Sequence, residues 1–251
     1  MTKYSISITP KPSWFHLNAR ELWLYRELFF MFTWRDIKVR YKQTTLGILW
    51  AILQPLLFML VFTLFFGRFK EISESSVPYP LFVYTGLILW NFFSVALSNA
   101  SGSLIENESI IKKVYFPRLI IPISATLSAL VDLFIASFIL IGLMIGYQVT
   151  PSLLGVVLFP VFILLTFITA VGGGMLLSAI NIKYRDVRYI LPFFIQILMF
   201  VTPVIYPLSV ASEKYHRLLS LNPMTGIIEN ARGLLLQTGP INTEILLTGI
   251  A

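Results

Sequence analysis

The sequence predicts an all-α polytopic membrane protein with five full transmembrane helices and the start of a sixth. An N-terminal amphipathic interface helix precedes them, and re-entrant short helices are expected before the last span. Three observations carry this prediction. Of the 251 residues, 57% are hydrophobic and the mean hydropathy is +0.80, where a soluble domain holds about 45–50% apolar residues. Charged residues make up only 12%, too few to cover a surface facing water. Several near-uncharged stretches approach or exceed the ~20 residues that cross ~30 Å of hydrocarbon as a helix. Helix is the default there, because unpaired backbone groups cannot face lipid.

Two regions follow: residues 1–45 as a cytoplasmic N-terminal segment, and residues 46–251 as a transmembrane domain. In the first, Asn18 and Glu21 sit three apart, like the two ends of a capping box. Leu22, Tyr25, Leu28, Phe29 and Phe32 then recur at helical spacing. Aromatic and basic residues together favour the interface plane of a bilayer. The helix is expected either to anchor the chain there or also to touch a cytoplasmic partner. The first forty residues lack an apolar core beside a charged start, so no signal peptide is expected.

The spans are predicted at Leu46–Gly67, Tyr79–Asn99, Leu119–Gly146, Leu153–Ile180 and Tyr189–Leu208. From Leu218 to Gln237 the apolar run is broken by Asn222, Pro223, Gly226, Glu229, Asn230, Arg232 and Gly233. Broken backbone at membrane depth is tolerated where protein covers it, so two short re-entrant helices are expected. A plain amphipathic loop is the alternative. The run from Ile241 to Ala251 is too short to span, and a sixth span is expected to be cut short there.

The net charge of +7 suits either nucleic-acid binding or membrane topology, and its distribution favours topology. Fourteen of the nineteen basic residues fall on one side of the predicted spans: eight before the first span, then Lys112, Lys113 and Arg118, then Lys183, Arg185 and Arg188. Five fall on the other. The excess marks the cytoplasmic side, so the N-terminus is expected there, and no nucleic-acid partner is expected.

Several chemistries have no foothold. Cysteine is absent, which removes disulfides, thiolate metal sites and cysteine nucleophiles. His16 and His216 stand alone, so no metal site is expected. No Gly-x-x-x-x-Gly-Lys-[Ser/Thr] occurs, so no ATP phosphate cradle is expected. Gly172-Gly173-Gly174 lies inside the fourth span, where glycines let helices approach closely.

Asp132 is the one acid well inside a predicted span. Such groups are costly and usually functional. It lines a polar route, pairs with a basic group near a helix end, or is protonated and structural. Asn91, Ser94, Ser98, Asn99, Ser101 and Ser103 make one end of the second span polar. They face a channel or bond neighbouring helices. Phe62, Phe65, Tyr84, Trp90, Phe193 and Phe200 lie deep in the spans. With Asp132 they are candidate pore contacts. Lipid contact or packing is the alternative for each.

Five stretches carry a resemblance. Trp34-Arg35-Asp36-Ile37-Lys38-Val39-Arg40-Tyr41-Lys42-Gln43-Thr44, with Leu46-Gly47-Ile48-Leu49-Trp50, leads into the first span. Lys113-Val114-Tyr115-Phe116-Pro117-Arg118 precedes the third. Asn181-Ile182-Lys183-Tyr184-Arg185-Asp186-Val187-Arg188 separates the fourth and fifth, Thr202-Pro203-Val204-Ile205-Tyr206 closes the fifth, and Asn222-Pro223 follows. This order resembles the type-2 ABC transporter permeases of the polysaccharide export family, which serve O-antigen, capsule and teichoic acid. The resemblance implies a bacterial cytoplasmic (inner) membrane protein of six spans. It implies a homodimeric channel for a lipid-linked glycan, driven by two copies of a separate ABC ATPase. ATP and Mg²⁺ then belong to that ATPase, and this chain holds no cofactor and is no enzyme. By the same resemblance Glu106, Asn107, Glu108, Ile110, Ile111, Lys112 and Lys113 form a coupling helix docking on the ATPase. Tyr184, Arg185 and Asp186 are a second contact, and Phe62, Phe65, Tyr84, Trp90, Asp132, Phe193 and Phe200 become candidate pore or glycan contacts, since aromatic faces stack on sugars. Read from the residues alone, the first stretch is equally a solvated loop, and the second an Arg–Asp pair in a tight turn.

Three rivals remain. A drug or small-lipid exporter of the same superfamily shares the fold. A membrane transferase needs clustered acids for Mg²⁺, and none of the twelve acids cluster in an aspartate-rich motif. A proton-driven carrier needs more intramembrane acids than Asp132.

Overall fold

The computed structural model describes residues 19–42, 47–67, 77–210 and 213–250. Asn18, with the cap expected there, and Gln43, Thr44 and Leu46 of the first motif lie outside the described residues. The described chain is helical throughout. In order come α1 (Ala19–Leu24), α2 (Arg26–Lys42), α3 (Gly47–Phe66) and α4 (Tyr79–Glu106). Then follow α5 (Glu108–Ile111), α6 (Ile120–Ser128), α7 (Leu130–Gly146) and α8 (Leu153–Lys183). The last are α9 (Val187–Val201), α10 (Glu213–Ser220), α11 (Pro223–Leu235) and α12 (Thr243–Ile250).

Among the described residues four segments are long and apolar enough to cross a membrane: Leu49–Phe66, Tyr79–Glu106, Ile120–Gly146 and Leu153–Lys183. α9 is apolar but has only 15 residues, about 22 Å of helix. Its predicted extension to Leu208 does not form. Pro203 has no N–H and biases the residue before it towards extended backbone, and Thr202 is extended at φ −77°, ψ 138°.

α4 is the axis of the bundle. Of its most apolar eighteen residues 78% are buried, against 11–28% in the other three candidate spans. It contacts α3, α6, α7, α8, α9 and α11. It also runs beyond its predicted end at Asn99, so Glu106 closes this helix and lies outside the coupling turn. The Ser101 and Ser103 hydroxyls donate to the carbonyls of Ser98 and Ala100, at 3.1 and 2.7 Å. Polar residues satisfied within their own helix do not end it.

The α4–α8 seam is close. A Cβ at Gly174 would fall inside contact distance of Ala100 Cβ, and one at Gly173 would meet Leu97 at 3.1 Å. Gly172 faces open space. At its start α8 is capped by Ser152, whose Oγ accepts from Gly155 N at 2.8 Å and donates to Leu234 O at 2.7 Å.

The broken segment folds back onto the core. Asn222 caps α11, its Oδ1 accepting from Met224 N at 3.1 Å, with Pro223 at the first helical position, where a missing N–H costs nothing. Met224, Ile227, Ile228 and Ala231 are buried in the main hydrophobic core, and α11 contacts both α4 and α8. α12 crosses α11 at Gly226, where a Cβ would lie 2.8 Å from Ile245 O.

The N-terminal helices correct an expectation. The stripe Leu22, Tyr25, Leu28, Phe29 and Phe32 exists, but it packs on protein. It joins Phe116, Ile120 and Ile121 in a second hydrophobic cluster. The other face is also rich in apolar groups: Trp23, Leu24, Phe30, Met31 and Trp34 are exposed. α2 is therefore no simple amphipathic helix with one apolar and one polar side. Its Phe32 ring meets Phe116 at 5.7 Å, and Arg40, two turns later, reaches Asp132. α2 thus runs alongside α6 and into the start of α7.

Candidate functional site

Two loops meet at the end of the bundle that carries Lys112, Lys113, Arg118, Lys183, Arg185 and Arg188, the basic end. The first turns at Asn107, which is buried. Its Nδ2 donates to Ser103 O at 2.8 Å, and its carbonyl accepts from the N–H groups of Ile110 and Ile111. One turn of helix, α5, follows. Ile110 and Ile111 lean into the α2–α6 cluster. Glu108, Lys112, Lys113, Val114 and Tyr115 stand exposed, and Lys112 Nζ bonds Glu108 Oε1 at 2.5 Å. The turn is thus anchored on its apolar side and presents charge and aromatic surface on the other.

The second loop joins α8 to α9. Asn181 is buried and its Nδ2 donates to Ser101 O at 3.1 Å, tying α8 to α4. Tyr184 is exposed, with Lys183 Nζ 5.2 Å from its ring centre. The Asp186 carbonyl accepts from the N–H groups of Tyr189 and Ile190 and so starts α9. No Arg185–Asp186 ion pair forms among the described residues. Arg185 instead acts on Glu108: the hydrogen bond and charge of Lys112, and then the charge of Arg185, hold the Glu108 carboxyl below its ordinary value. The two loops predicted separately are neighbours.

Behind them polar residues of α4 line three hollows that share lining residues. A crevice of about 440 Å³ is bounded by Arg35, Asp36, Arg40, Ser98, Asn99 and Glu106, among others. Arg40 also borders a smaller cavity of about 80 Å³ with Gln54, Asn91 and Asp132. On the α8–α9 side, Ser98, Ser101, Glu106, Asn181 and Arg188 bound a third, of about 180 Å³.

Asp132 is the hub of the smaller cavity. Arg40 Nη2 pairs with its Oδ2 at 2.8 Å, and the Tyr41 hydroxyl donates to its Oδ1. Burial first, then the bond to Asp132, pushes the Tyr41 hydroxyl well above the ordinary tyrosine value. Asp132 therefore joins the segment leading into the first span to the third span. Of the other motif residues, Trp34 is exposed, and Arg35 pairs with Asp36 at 2.7 Å and stacks over Phe32 at 4.8 Å. Lys42 ends α2, Gly47 begins α3, and Trp50 borders the Asp132 cavity.

The aromatic candidates divide. Tyr84 is enclosed, its hydroxyl donating to Ala136 O at 3.2 Å. Trp90 is enclosed beside Phe93, ring centres 5.5 Å apart, and Phe62 is buried. Phe65, Phe193 and Phe200 lie on the surface of the bundle.

A second polar cluster lies at the opposite end; in the sequence its Glu229 and Arg232 were read as helix breakers and its Thr202–Tyr206 and Asn222-Pro223 as family motifs. Arg232 is 1% exposed. Its guanidinium donates to Pro203 O at 2.9 Å, to Val204 O at 3.1 Å and to Glu229 Oε2 at 2.5 Å. It also sits 3.7 Å over the Phe82 ring. Asn222 Nδ2 donates to Thr202 Oγ1 at 2.8 Å, and the Tyr79 hydroxyl to Ile205 O at 2.9 Å. The Thr202–Tyr206 motif, whose backbone has left the helix, is thereby satisfied by α11 and α4. The signal available in the sequence was Glu229 three residues before Arg232, a spacing that pairs side chains on one helix face.

Residues 27–236 match the ABC-2 type transporter family. The O-antigen export system permease protein RfbA of Myxococcus xanthus is 31% identical over 219 residues, 86% of this chain and 83% of the relative. The polysialic acid transport protein KpsM of Escherichia coli is 25% identical over 206 residues, 79% of this chain and 77% of the relative. The capsule polysaccharide export inner-membrane protein CtrC of Neisseria meningitidis is 25% identical over 158 residues, 60% and 57% of the two chains. With a family match running from α2 to beyond α11, through both loops and the Arg232 cluster, this chain belongs to the ABC-2 type transporter family.

Proposed function

We propose that the chain is the permease subunit of an exporter that moves a lipid-linked polysaccharide, of O-antigen, capsule or teichoic acid type, across the bacterial inner membrane. Two copies form the channel, and two copies of a separate ABC ATPase drive it. ATP and Mg²⁺ bind in the ATPase. The observation that carries this reading is the match to relatives named for O-antigen export over 83–84% of their length. The meeting of the two basic loops supports the coupling half. A soluble motor needs a stiff contact with an apolar root and a polar surface, and Glu108–Lys113 with Tyr184–Asp186 offers one. On this reading the basic end faces the cytoplasm. α9 together with Thr202–Tyr206 and α11 completes a fifth crossing, where broken backbone is covered by protein. The surface aromatics Phe65, Phe193 and Phe200 are then available to a wall shared between two copies.

The test is co-purification of the permease with candidate ABC ATPase subunits, with ATP hydrolysis and surface glycan followed together. Lys112→Glu with Lys113→Glu, both exposed, is expected to lower ATPase recovery at least tenfold while the permease still elutes as a folded species. Deleting the permease is expected to remove the glycan from the cell surface. Recovery of an ATPase with unchanged surface glycan would transfer the reading to a drug or small-lipid exporter. Failure to recover any ATPase would overturn the motor-driven reading.

A further inference from the structure

The outward face of α2 is an aromatic and basic surface that the proposed function leaves unused. Phe30, Met31 and Trp34 stand on it, 49–67% exposed, and Trp23 of α1, 70% exposed, lies beside its Arg26. They lie opposite the stripe that packs on α6. Cations are seated on these rings. Arg26 lies 5.7 Å from the Trp23 ring centre, and Lys38 Nζ lies 5.3 Å from that of Trp34. Phe30 stacks on Trp34 at 6.4 Å with 8° between planes. Phe30, Met31, Trp34, Lys38, Val39 and Lys42 border a shallow groove of about 420 Å³.

The charge on this face is one-sided. Arg26, Lys38 and Lys42 are exposed there, and Glu27 is its one exposed acid among the described residues. Glu27 lies near Arg26, on the α1 side. The half nearer the first span presents Lys38 and Lys42 with no exposed acid. The remaining cation at the groove, Arg35, is engaged with Asp36. An aromatic floor with ammonium groups at its rim fits the boundary between acyl chains and headgroups. Tryptophan rings settle at that level, lysine stems lie along apolar surface while their ammonium groups reach for polar partners, and basic clusters beside a span attract anionic lipid.

We propose that this face of α2 is a binding surface for anionic phospholipid of the adjoining leaflet. The acyl chain lies against Phe30, Met31 and Trp34, and the phosphodiester is held by Lys38 and Lys42. Headgroup preference then resides in the two lysines, and contact with the bilayer in the aromatics. The surface is independent of the exported cargo, so it stands or falls apart from the polysaccharide reading.

The absence of cysteine makes a clean test possible. Met31→Cys in the full-length chain carries a bimane label, and Phe138→Cys on the exposed side of α7 serves as the lipid-facing reference. Phe138 is 74% exposed. Each labelled protein is placed in nanodiscs of equal phosphatidylglycerol and phosphatidylcholine, with brominated acyl chains on one lipid at a time. At position 31, brominated phosphatidylglycerol is expected to quench at least twice as strongly as brominated phosphatidylcholine. At position 138 the two are expected to quench equally. Lys38→Gln with Lys42→Gln, checked for an unchanged elution profile, is expected to equalise the two lipids at position 31 as well. Equal quenching at position 31 in the unsubstituted background would overturn the proposal by showing a headgroup-blind surface. Absence of quenching by either lipid would overturn it by showing that protein, a second copy or a motor subunit, covers the face.

Discussion

Two arginine-centred clusters, one at the end of the bundle opposite the basic loops and one beside Asp132 inside the third span, are built to different standards. Arg232 is enclosed, and it holds two backbone carbonyls, a carboxylate and an aromatic ring at once. Arg40 keeps 34% of its side chain exposed and pairs directly with Asp132 at the wall of a cavity. The first cluster closes a break in the backbone, where the Pro203 and Val204 carbonyls have no helical partner. The second joins two helices that are each complete without it. A buried cation that replaces missing backbone hydrogen bonds is a fixed part of the fold. A half-open ion pair between intact helices joins elements that can separate and close again. The contrast assigns rigidity to the Arg232 end and adjustability to the basic end.

The largest effect is therefore expected at Arg232. Arg232→Ala leaves Glu229 facing a void and two carbonyls without donors in a buried site. Removing one partner of such a pair costs about 3–5 kcal/mol. The melting temperature in detergent should fall by more than for any other single substitution discussed here. Arg232→Lys should recover only part of the loss, because an ammonium cannot reproduce the planar fork that spans two carbonyls and a carboxylate. A melting temperature unchanged in Arg232→Ala would remove the contrast between the ends.

Asp132→Asn tests the other side. It keeps the shape, leaves the Tyr41 hydroxyl an acceptor and removes the charge that faces Arg40. A hydrogen bond to a charged group is worth about 1.5–3 kcal/mol net. Asp132 is 17% and Arg40 34% exposed, and water reaching the pair should keep the loss at or below the lower figure. The readout that separates a joint from a strut is transport: if α2 must move against α7 during export, surface glycan should fall more steeply than thermal stability. Equal, proportionate losses in both would reduce Asp132 to a packing group.

The contrast also sorts what the sequence could and could not reveal. Four spans were legible because each is a long, predominantly apolar run. The ends were less so. Ser101 and Ser103 look like a loop, yet satisfy their hydroxyls inside α4, and Thr202-Pro203 ends α9 seven residues before its apolar run stops. The stripe on α2 was visible as a period, but a period does not say whether protein or lipid lies opposite, and here it is α6. Asp132 could be marked as an intramembrane acid, but its partners Arg40 and Tyr41 are 92 and 91 residues away in the chain. Arg232 was hidden among breakers because its value lies in carbonyls 28 and 29 residues earlier. Local pattern shows which groups must be satisfied, and only the fold shows by whom.

The smallest effect on stability is expected where the proposed motor contact lies. Glu108 is exposed, and Lys112, with help from Arg185, holds its carboxyl below the ordinary value. A lowered carboxyl favours the folded state above the unfolded value, and that contribution is lost as pH falls through the lowered one. Exposed i,i+4 pairs contribute little. Glu108→Gln should therefore leave the melting temperature at pH 7 within error of the unsubstituted protein, and any difference should vanish on acidification below the carboxylate range. ATPase recovery is the more sensitive readout, because Glu108 orders the charges that the proposed partner meets. A melting temperature as low as that of Arg232→Ala would show that the turn is built into the core, and the basic end would lose its claim to be the adjustable one.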